Sequence, residues 1–417
     1  VAYDATISVT PATVNLAGNF SEAQLLVASS ASEGLVDKRS ADLTVAATYA
    51  SADESIVTVS QSGRLLAVGN GMATVTVTHD NQTQSVAVTV TGVEEQPKIN
   101  FDSHIRPIIS RMGCNAGACH ASQFGKGGFI LSVVGFDPDL DYNSMVRDRL
   151  QRRISMVEPE ESLLLMKPTL QVAHGGGKKL MVGATPYNTL LAWLKSGAPG
   201  PMADAPLVKR LSVEPKDRIA QVDETQQLRV VAEYSDGSTR DVTGWAKFDS
   251  TDDAVLSVTA DGLVTVEGRG QAPIMVRFEG QADIAMFVSP YGPAPALADW
   301  QNNNFIDEFA ATKFRELGIT PSGLCDDPTF VRRAFVDAVG TLPTPEQIRE
   351  FVADANPQKR QKLIDSLLGL TGDPELDRYN DQYSALWTLK WSDLLRNTSS
   401  GAAADEQRMW AMHNWIR

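Results

Sequence analysis

Two stretches of this 417-residue chain decide its fold: SIVTVSQSGRLLAVGNGMATVTV at residues 55–77 and AVLSVTADGLVTVEGRGQAPIMV at residues 254–276. They align without a gap, and glycine matches glycine at three places. Each consists of short β-branched runs joined by Ser-Gly or Asp-Gly turns, which is typical of β-hairpins. The repeat therefore predicts two copies of one all-β sandwich module, each of about 80 to 95 residues.

Both repeats resemble the bacterial immunoglobulin-like group 2 domain. The resemblance rests on the strand–Gly–strand–Gly-x-Gly–strand ending and on the acidic residues that precede it, at 53–55 and 252–254. It covers residues 5–92 and 208–289 and implies spacers or adhesion units of an exported protein. No helix with a third glycine follows the Gly-x-Gly, so we interpret it as a tight turn and not as a nucleotide loop.

Composition excludes several classes of protein. The net charge of −14 argues against nucleic acid as a partner, because phosphate binding needs clustered cations. No apolar run is long enough for a transmembrane segment, and three cysteines exclude a disulfide scaffold. Residues 1–4 show no secretory leader, although a leader could equally have been removed, and we expect the native chain to continue past Arg417.

The segment between the repeats carries a candidate site. Residues 97–204 hold 12 Lys and Arg against 9 Asp and Glu, whereas both flanking segments are acidic. Residues 112–120 read Met-Gly-Cys-Asn-Ala-Gly-Ala-Cys-His, a longer variant of the C-x-x-C-H signature of covalent c-type haem attachment. Two alternatives stay open: a zinc site that uses Cys114, Cys119 and His120 with one more ligand, and a Cys114–Cys119 disulfide.

This insert closely resembles the planctomycete-type cytochrome c domain over 97–204. The matching stretches are 101–120, 125–128, 162–168, 174–177 and 193–199. The resemblance implies one haem c per chain, attached to Cys114 and Cys119, with His120 as an iron ligand. It also implies that the amphipathic helix before the motif, ending at Gly113, crosses a second helix at residues 186–197.

The second iron ligand is expected to be His174, with Met181 as the alternative. His174 precedes three glycines, so the backbone there can approach a flat cofactor closely. Axial ligation by His or Met is usual for haem iron. His104 is expected on a solvated helix surface. Five cations are candidates to neutralise the haem propionates: Lys126, Arg152, Arg153, Lys178 and Lys179.

Residues 301–417 resemble the start of an uncharacterised helical domain that commonly accompanies planctomycete-type cytochromes. The residues that carry the resemblance lie at 325–337, 340–345, 362–368 and 389–395. The predicted architecture is thus multidomain: two all-β immunoglobulin-like sandwiches at 1–96 and 205–290, an α-helical cytochrome c-like domain at 97–204, and a truncated α-helical domain at 291–417.

These features predict an exported c-type cytochrome that transfers single electrons, with the Ig-like modules as spacers. The partner would be a redox protein or a small electron carrier, the location periplasmic or cell-surface, and no catalytic residues are assigned. Two alternatives remain. One is the haem-bearing portion of an extracytoplasmic oxidoreductase acting on carbohydrate, and the other is a surface adhesion or structural protein with a metal site.

Overall fold

The computed structural model describes residues 6–30, 35–298 and 300–417. Residues 1–5 and 31–34 of the predicted first module, and residue 299 of the linker, lie outside the described residues. The chain divides into two compact units, Val1–Thr320 and Pro321–Arg417. In the described part of the chain, no helix is both long and apolar enough to cross a membrane.

The first module is a sandwich of nine described strands whose alternate residues are buried. The strands are β1 (Thr6–Thr10), β2 (Thr13–Ala17), β3 (Glu22–Gln24), β4 (Leu26–Ser30), β5 (Thr48–Ser51), β6 (Val57–Val59), β7 (Arg64–Ala67), β8 (Gly71–His79) and β9 (Gln82–Thr91). They form sheets in the orders β2-β9-β8-β5, β3-β7-β6 and β1-β4, with β2 parallel to β9. The core contains Leu25, Val27, Leu65, Val75 and Val77, which are fully buried.

The second module repeats this topology. Its strands are β10 (Val208–Glu214), β11 (Asp217–Ile219), β12 (Thr225–Gln227), β13 (Arg229–Tyr234), β14 (Thr239–Asp241), β15 (Lys247–Ser250), β16 (Leu256–Val258), β17 (Leu263–Val266), β18 (Gly270–Phe278) and β19 (Gln281–Ser289). The sheet orders are β11-β19-β18-β15, β12-β17-β16 and β10-β13-β14, and β11 is parallel to β19. The prediction of two sandwiches with one strand order is therefore confirmed.

The insert is built from short helices around an aromatic centre. A π-helical turn at Phe101–Ile105 leads into α1 (Arg106–Arg111), followed by α2 (Pro138–Tyr142), a π-helical turn at Asn143–Arg147, α3 (Asp148–Gln151), α4 (Leu163–Met166) and α5 (Thr185–Lys195). The fully buried Trp193 of α5 packs on Phe101, with ring centroids 5.8 Å apart. The π-helical turn before the cysteines thus contacts the last helix of the insert.

Two of the modules, the insert and the second sandwich, do not have separate hydrophobic cores. The buried residues of the insert and of the second sandwich form one continuous cluster, in which Phe101 and Trp193 join Leu228 and Phe287. The first sandwich has a separate core. The insert and the second sandwich therefore share an apolar interior.

The remaining helices begin with α6 (Phe305–Leu317), which belongs to the first unit. The second unit contains α7 (Asp327–Val339), α8 (Pro345–Ala353), α9 (Lys359–Leu367), α10 (Asn380–Leu394) and α11 (Ala403–Ile416). Its small core is formed by Val331, Phe335, Val339, Leu367 and Tyr379. A helical C-terminal region was predicted, and the structure confirms it.

Candidate functional site

The loop that carries the two cysteines is closed by its own backbone. The Asn100 side chain accepts hydrogen bonds from two amides of the following π-helical turn and so starts the helix. After α1, Gly113 turns the chain with φ +69°. The Cys114 carbonyl then accepts a hydrogen bond from the His120 amide at 3.0 Å, which fixes the imidazole beside the two thiols.

His120 is held by a backbone contact. Its Nδ1 lies 3.1 Å from the Phe129 carbonyl oxygen, and the two rings are 4.6 Å apart. A carbonyl only accepts hydrogen bonds, so Nδ1 carries the proton and the lone pair of Nε2 stays free. Burial lowers the pKa of His120, and nearby His174 lowers it further, which favours the neutral imidazole that binds metals.

His174 has the same arrangement. Its Nδ1 lies 2.9 Å from the Gly177 carbonyl oxygen, and the Gly177 amide bonds back to the His174 carbonyl. The two imidazole rings have centroids 6.4 Å apart and planes only 12° from parallel. A metal–imidazole bond is about 2 Å long, so this separation would allow both rings to bind one metal ion.

Both cysteines and both histidines line one cavity of about 360 Å³. Apolar side chains form its walls: Ile109, Met112, Phe129, Leu163, Leu164 and Leu190. Cations border it: Lys126, Arg149, Arg152, Arg153, Lys167 and Lys179. The shape, the apolar walls and the paired imidazoles fit a flat, largely apolar group that carries negative charge at its edge.

Both thiols are free, so the structure contains no Cys114–Cys119 disulfide. Burial raises the pKa of the Cys114 thiol to about 11, and this thiol is therefore neutral near pH 7. Within the described ranges, no group of three or more His, Cys, Asp or Glu side chains is placed to hold a metal ion. The zinc alternative accordingly has no structural support.

Several expectations about individual residues need revision. Met181 is 64% exposed and does not line the cavity. His104 is not on a solvated surface: it packs edge-on against Trp245 of the second sandwich, and burial lowers its pKa to about 3. Lys178 does not line the cavity, whereas Lys126, Arg152 and Lys179 do.

Sequence reasoning missed the framework behind His120. Arg153 is buried, donates to the Ser144 and Gly128 carbonyls at 2.7 and 3.0 Å, and lies over the Phe129 ring at 4.6 Å. Arg153 thus positions the loop whose carbonyl fixes His120, and its guanidinium is already bonded within the protein and not reserved for a haem propionate. The glycine-rich loop at 125–128 is the local sign of this framework in the sequence.

Comparisons with known proteins assign the parts of the chain outside the insert. Residues 5–90 and 207–281 match the bacterial Ig-like domain (group 2), and residues 305–417 match a family of proteins of unknown function, DUF1549. A curated S-layer-related protein from Niallia circulans is 37% identical over 84 residues, which are 20% of this chain and 5% of that protein. The chain thus spans a small fraction of that relative's length.

Solved structures of the S-layer protein SbsC also match. Domains 5–6 of SbsC are 13% identical, with 68% of this chain and 97% of that chain covered and a TM-score of 0.26. Domains 4–9 are 13% identical, with 70% and 32% covered and a TM-score of 0.28. These scores are too low to carry an argument about function.

The expectation of an electron-transfer cytochrome is wrong. The curated relative is an S-layer-related protein, and within the described ranges no group of three or more His, Cys, Asp or Glu side chains is placed to hold a metal ion. These findings give no support to haem-based electron transfer or to a redox partner. None of these matches supports a cytochrome c domain at 97–204. What the comparisons establish is a multidomain chain with two bacterial Ig-like domains and a C-terminal DUF1549 region.

Proposed function

We propose that this chain is a structural component of an exported cell-surface assembly. The observation that carries the proposal is the duplicated sandwich with one strand order. An 84-residue stretch of the chain that is 37% identical to an S-layer-related protein supports it. The acidic surface supports it as well, because a net charge of −14 keeps an exported protein soluble until it assembles.

We also propose that the insert holds one haem c per chain as a structural group. Cys114 and Cys119 would form the thioethers, and His120 and His174 would be the iron ligands. When bound, haem would supply an iron for the two imidazoles and an apolar surface to pack against the cavity walls. Met181, which lies outside the cavity, is not part of this proposal.

The surface role is tested by protease treatment of intact cells that produce the native protein. We expect antibody-detected chain to be lost from whole cells without lysis and to be released by envelope-extracting denaturant. A periplasmic marker protein serves as the control for intact cells. Recovery of the untouched chain together with that marker would contradict the proposal.

The cofactor is tested separately, on protein matured in a host that assembles c-type cytochromes. We expect a pyridine haemochrome spectrum of covalent haem, and a shifted band for Cys119→Ala because one thioether is lost. Extraction of the haem by acid acetone, or protein without haem, would contradict this part. The surface proposal would be unaffected.

A further inference from the structure

The two sandwiches contact each other through a reciprocal pair of hydrogen bonds. The Gln24 amide of the first sandwich donates to Asp241 of the second at 3.1 Å. In return, the Gln227 amide of the second sandwich donates to Asp42 of the first at 2.8 Å. Each module therefore donates one hydrogen bond from a backbone amide and accepts one with an aspartate carboxylate.

The groups involved are equivalent in the two modules. Gln24 and Gln227 end the matching strands β3 and β12. Each aspartate also accepts a hydrogen bond from the threonine two residues later, Thr44 at 2.6 Å and Thr243 at 2.7 Å. Reciprocal contacts between equivalent groups are the arrangement of two-fold dimers, and here they are formed within one chain. The Arg64–Asp261 ion pair and the hydrogen bond from the Ile219 amide to the Lys38 carbonyl add contacts that are not reciprocal.

The first sandwich can leave this interface as a body. Its core is separate from the core shared by the insert and the second sandwich. The connection is short and lacks secondary structure after β9 ends at Thr91. Residues 93 and 94 are hydrogen-bonded to the Asn70 and Asn19 side chains of the first sandwich and move with it. The hinge is therefore confined to residues 95–97.

We propose that the junction is exchangeable between chains, so that the first sandwich of one copy docks on the second sandwich of another copy. This inference rests on the proposed surface-assembly function. Exchange in a ring closes a dimer, whereas exchange along a row produces an open chain of copies. Within one chain a short connection gives an effective concentration on the order of millimolar, so the closed monomer dominates in dilute solution. A crowded cell surface favours the exchanged form.

Chains labelled with two dyes test the proposal. The two labelled pools of full-length protein are mixed at high concentration, and we expect energy transfer between them to develop, because exchange brings the first sandwich of one chain onto the second sandwich of another.

Two isosteric variants show whether the junction controls the exchange. Asp42→Asn and Asp241→Asn each replace a carboxylate oxygen facing an amide N–H with an amide group, which weakens one half of the closed junction. The closed junction must open before it can exchange, so we expect energy transfer to develop about fivefold faster in each variant. The control is Asp80→Asn, since that side chain is exposed and lies outside the junction.

Absence of energy transfer in the wild-type mixture would overturn the proposal. Variants that exchange no faster than Asp80→Asn would overturn it as well. Neither result bears on whether the protein reaches the cell surface, which the protease experiment decides.

Discussion

The imidazole rings of His120 and His174 have centroids 6.4 Å apart and planes 12° from parallel, although 53 residues of chain separate them. Each ring is fixed by a backbone carbonyl at Nδ1. The free Nε2 atoms are therefore oriented before any ligand enters. Such outer contacts of metal-binding histidines set the ring orientation and the basicity of the ligand.

Gly176→Ala should disturb this pair, whereas Gly175→Ala should not. A Cβ at residue 176 would lie 2.9 Å from Cε1 of His174, but a Cβ at residue 175 would meet nothing within 4 Å. If the insert holds haem, we expect Gly176→Ala to weaken iron ligation by His174 about tenfold, which is typical of disturbed outer contacts, while the thioethers keep the haem attached. The high-spin fraction in the absorption spectrum of the haem-loaded protein measures this. An equal rise in both variants would contradict it.

Trp193→Ala should be the most destabilising single change in the insert. The indole is fully buried, stacks beside Phe101 and donates from Nε1 to the Pro199 carbonyl at 2.9 Å. Removing such a side chain costs about 3 to 5 kcal/mol in free energy of unfolding. Urea denaturation checks this, with Trp415→Ala as the control because that side chain is 78% exposed. Similar losses for both would refute the prediction.

Two glycine turns of the second sandwich allow the loss of stability caused by a steric clash to be distinguished from the loss caused by a strained backbone. Gly262 has φ +81°, and a Cβ there would lie 2.8 Å from the Phe248 ring. Gly237 has φ +83° with nothing within 4 Å. Alanine at residue 237 should cost about 1 kcal/mol from the left-handed backbone alone. Alanine at residue 262 should cost more, and thermal unfolding that ranks the two variants the other way would disprove this.

Glu279 should make stability fall as pH rises. The pKa of this carboxyl is raised from 4.5 to about 7, because the effect of burial outweighs the opposing effects of Arg106 and Arg240, and Asp102 adds to the rise. The folded state therefore holds a proton that the unfolded state loses above pH 4.5. The free energy of unfolding decreases by a total on the order of 2 to 3 kcal/mol between about pH 4.5 and 7, and it is level above pH 7.

Glu279→Gln should remove that slope. The control is Glu95→Gln, at an exposed position of the chain. Chemical denaturation of the three proteins at several pH values gives the comparison. A slope in Glu279→Gln as steep as that of the unaltered protein would show that another group is responsible.

The sandwiches were predictable from sequence because their turns and strands are local. Glycines at residues 63 and 262 take the positive φ that a tight turn requires, and alternation of buried residues follows directly from the strand pattern. The pairing of the duplicated modules was not predictable, since Asp42 and Gln227 lie far apart in sequence and neither is unusual in its own segment.

The candidate site was predictable only in part. The histidine before three glycines does lie beside the cysteine motif, as its surroundings suggested. The burial of Arg153 and His104 was not visible, because both depend on contacts between segments: Arg153 with the Phe129 loop, and His104 with Trp245. A charged or polar side chain on a short helix gives no local sign of such a partner.

The shared interior of the insert and the second sandwich decides where this protein can be divided for expression. A fragment that ends at residue 204 would leave water in contact with the part of the insert that now packs against the second sandwich, where His104 lies on Trp245, so it should aggregate. A fragment from residue 97 to residue 320 keeps that surface covered. For expression, the chain is thus best divided in the short segment after Thr91. A cut at residue 204, between the insert and the second sandwich, should be avoided although the sequence suggests it.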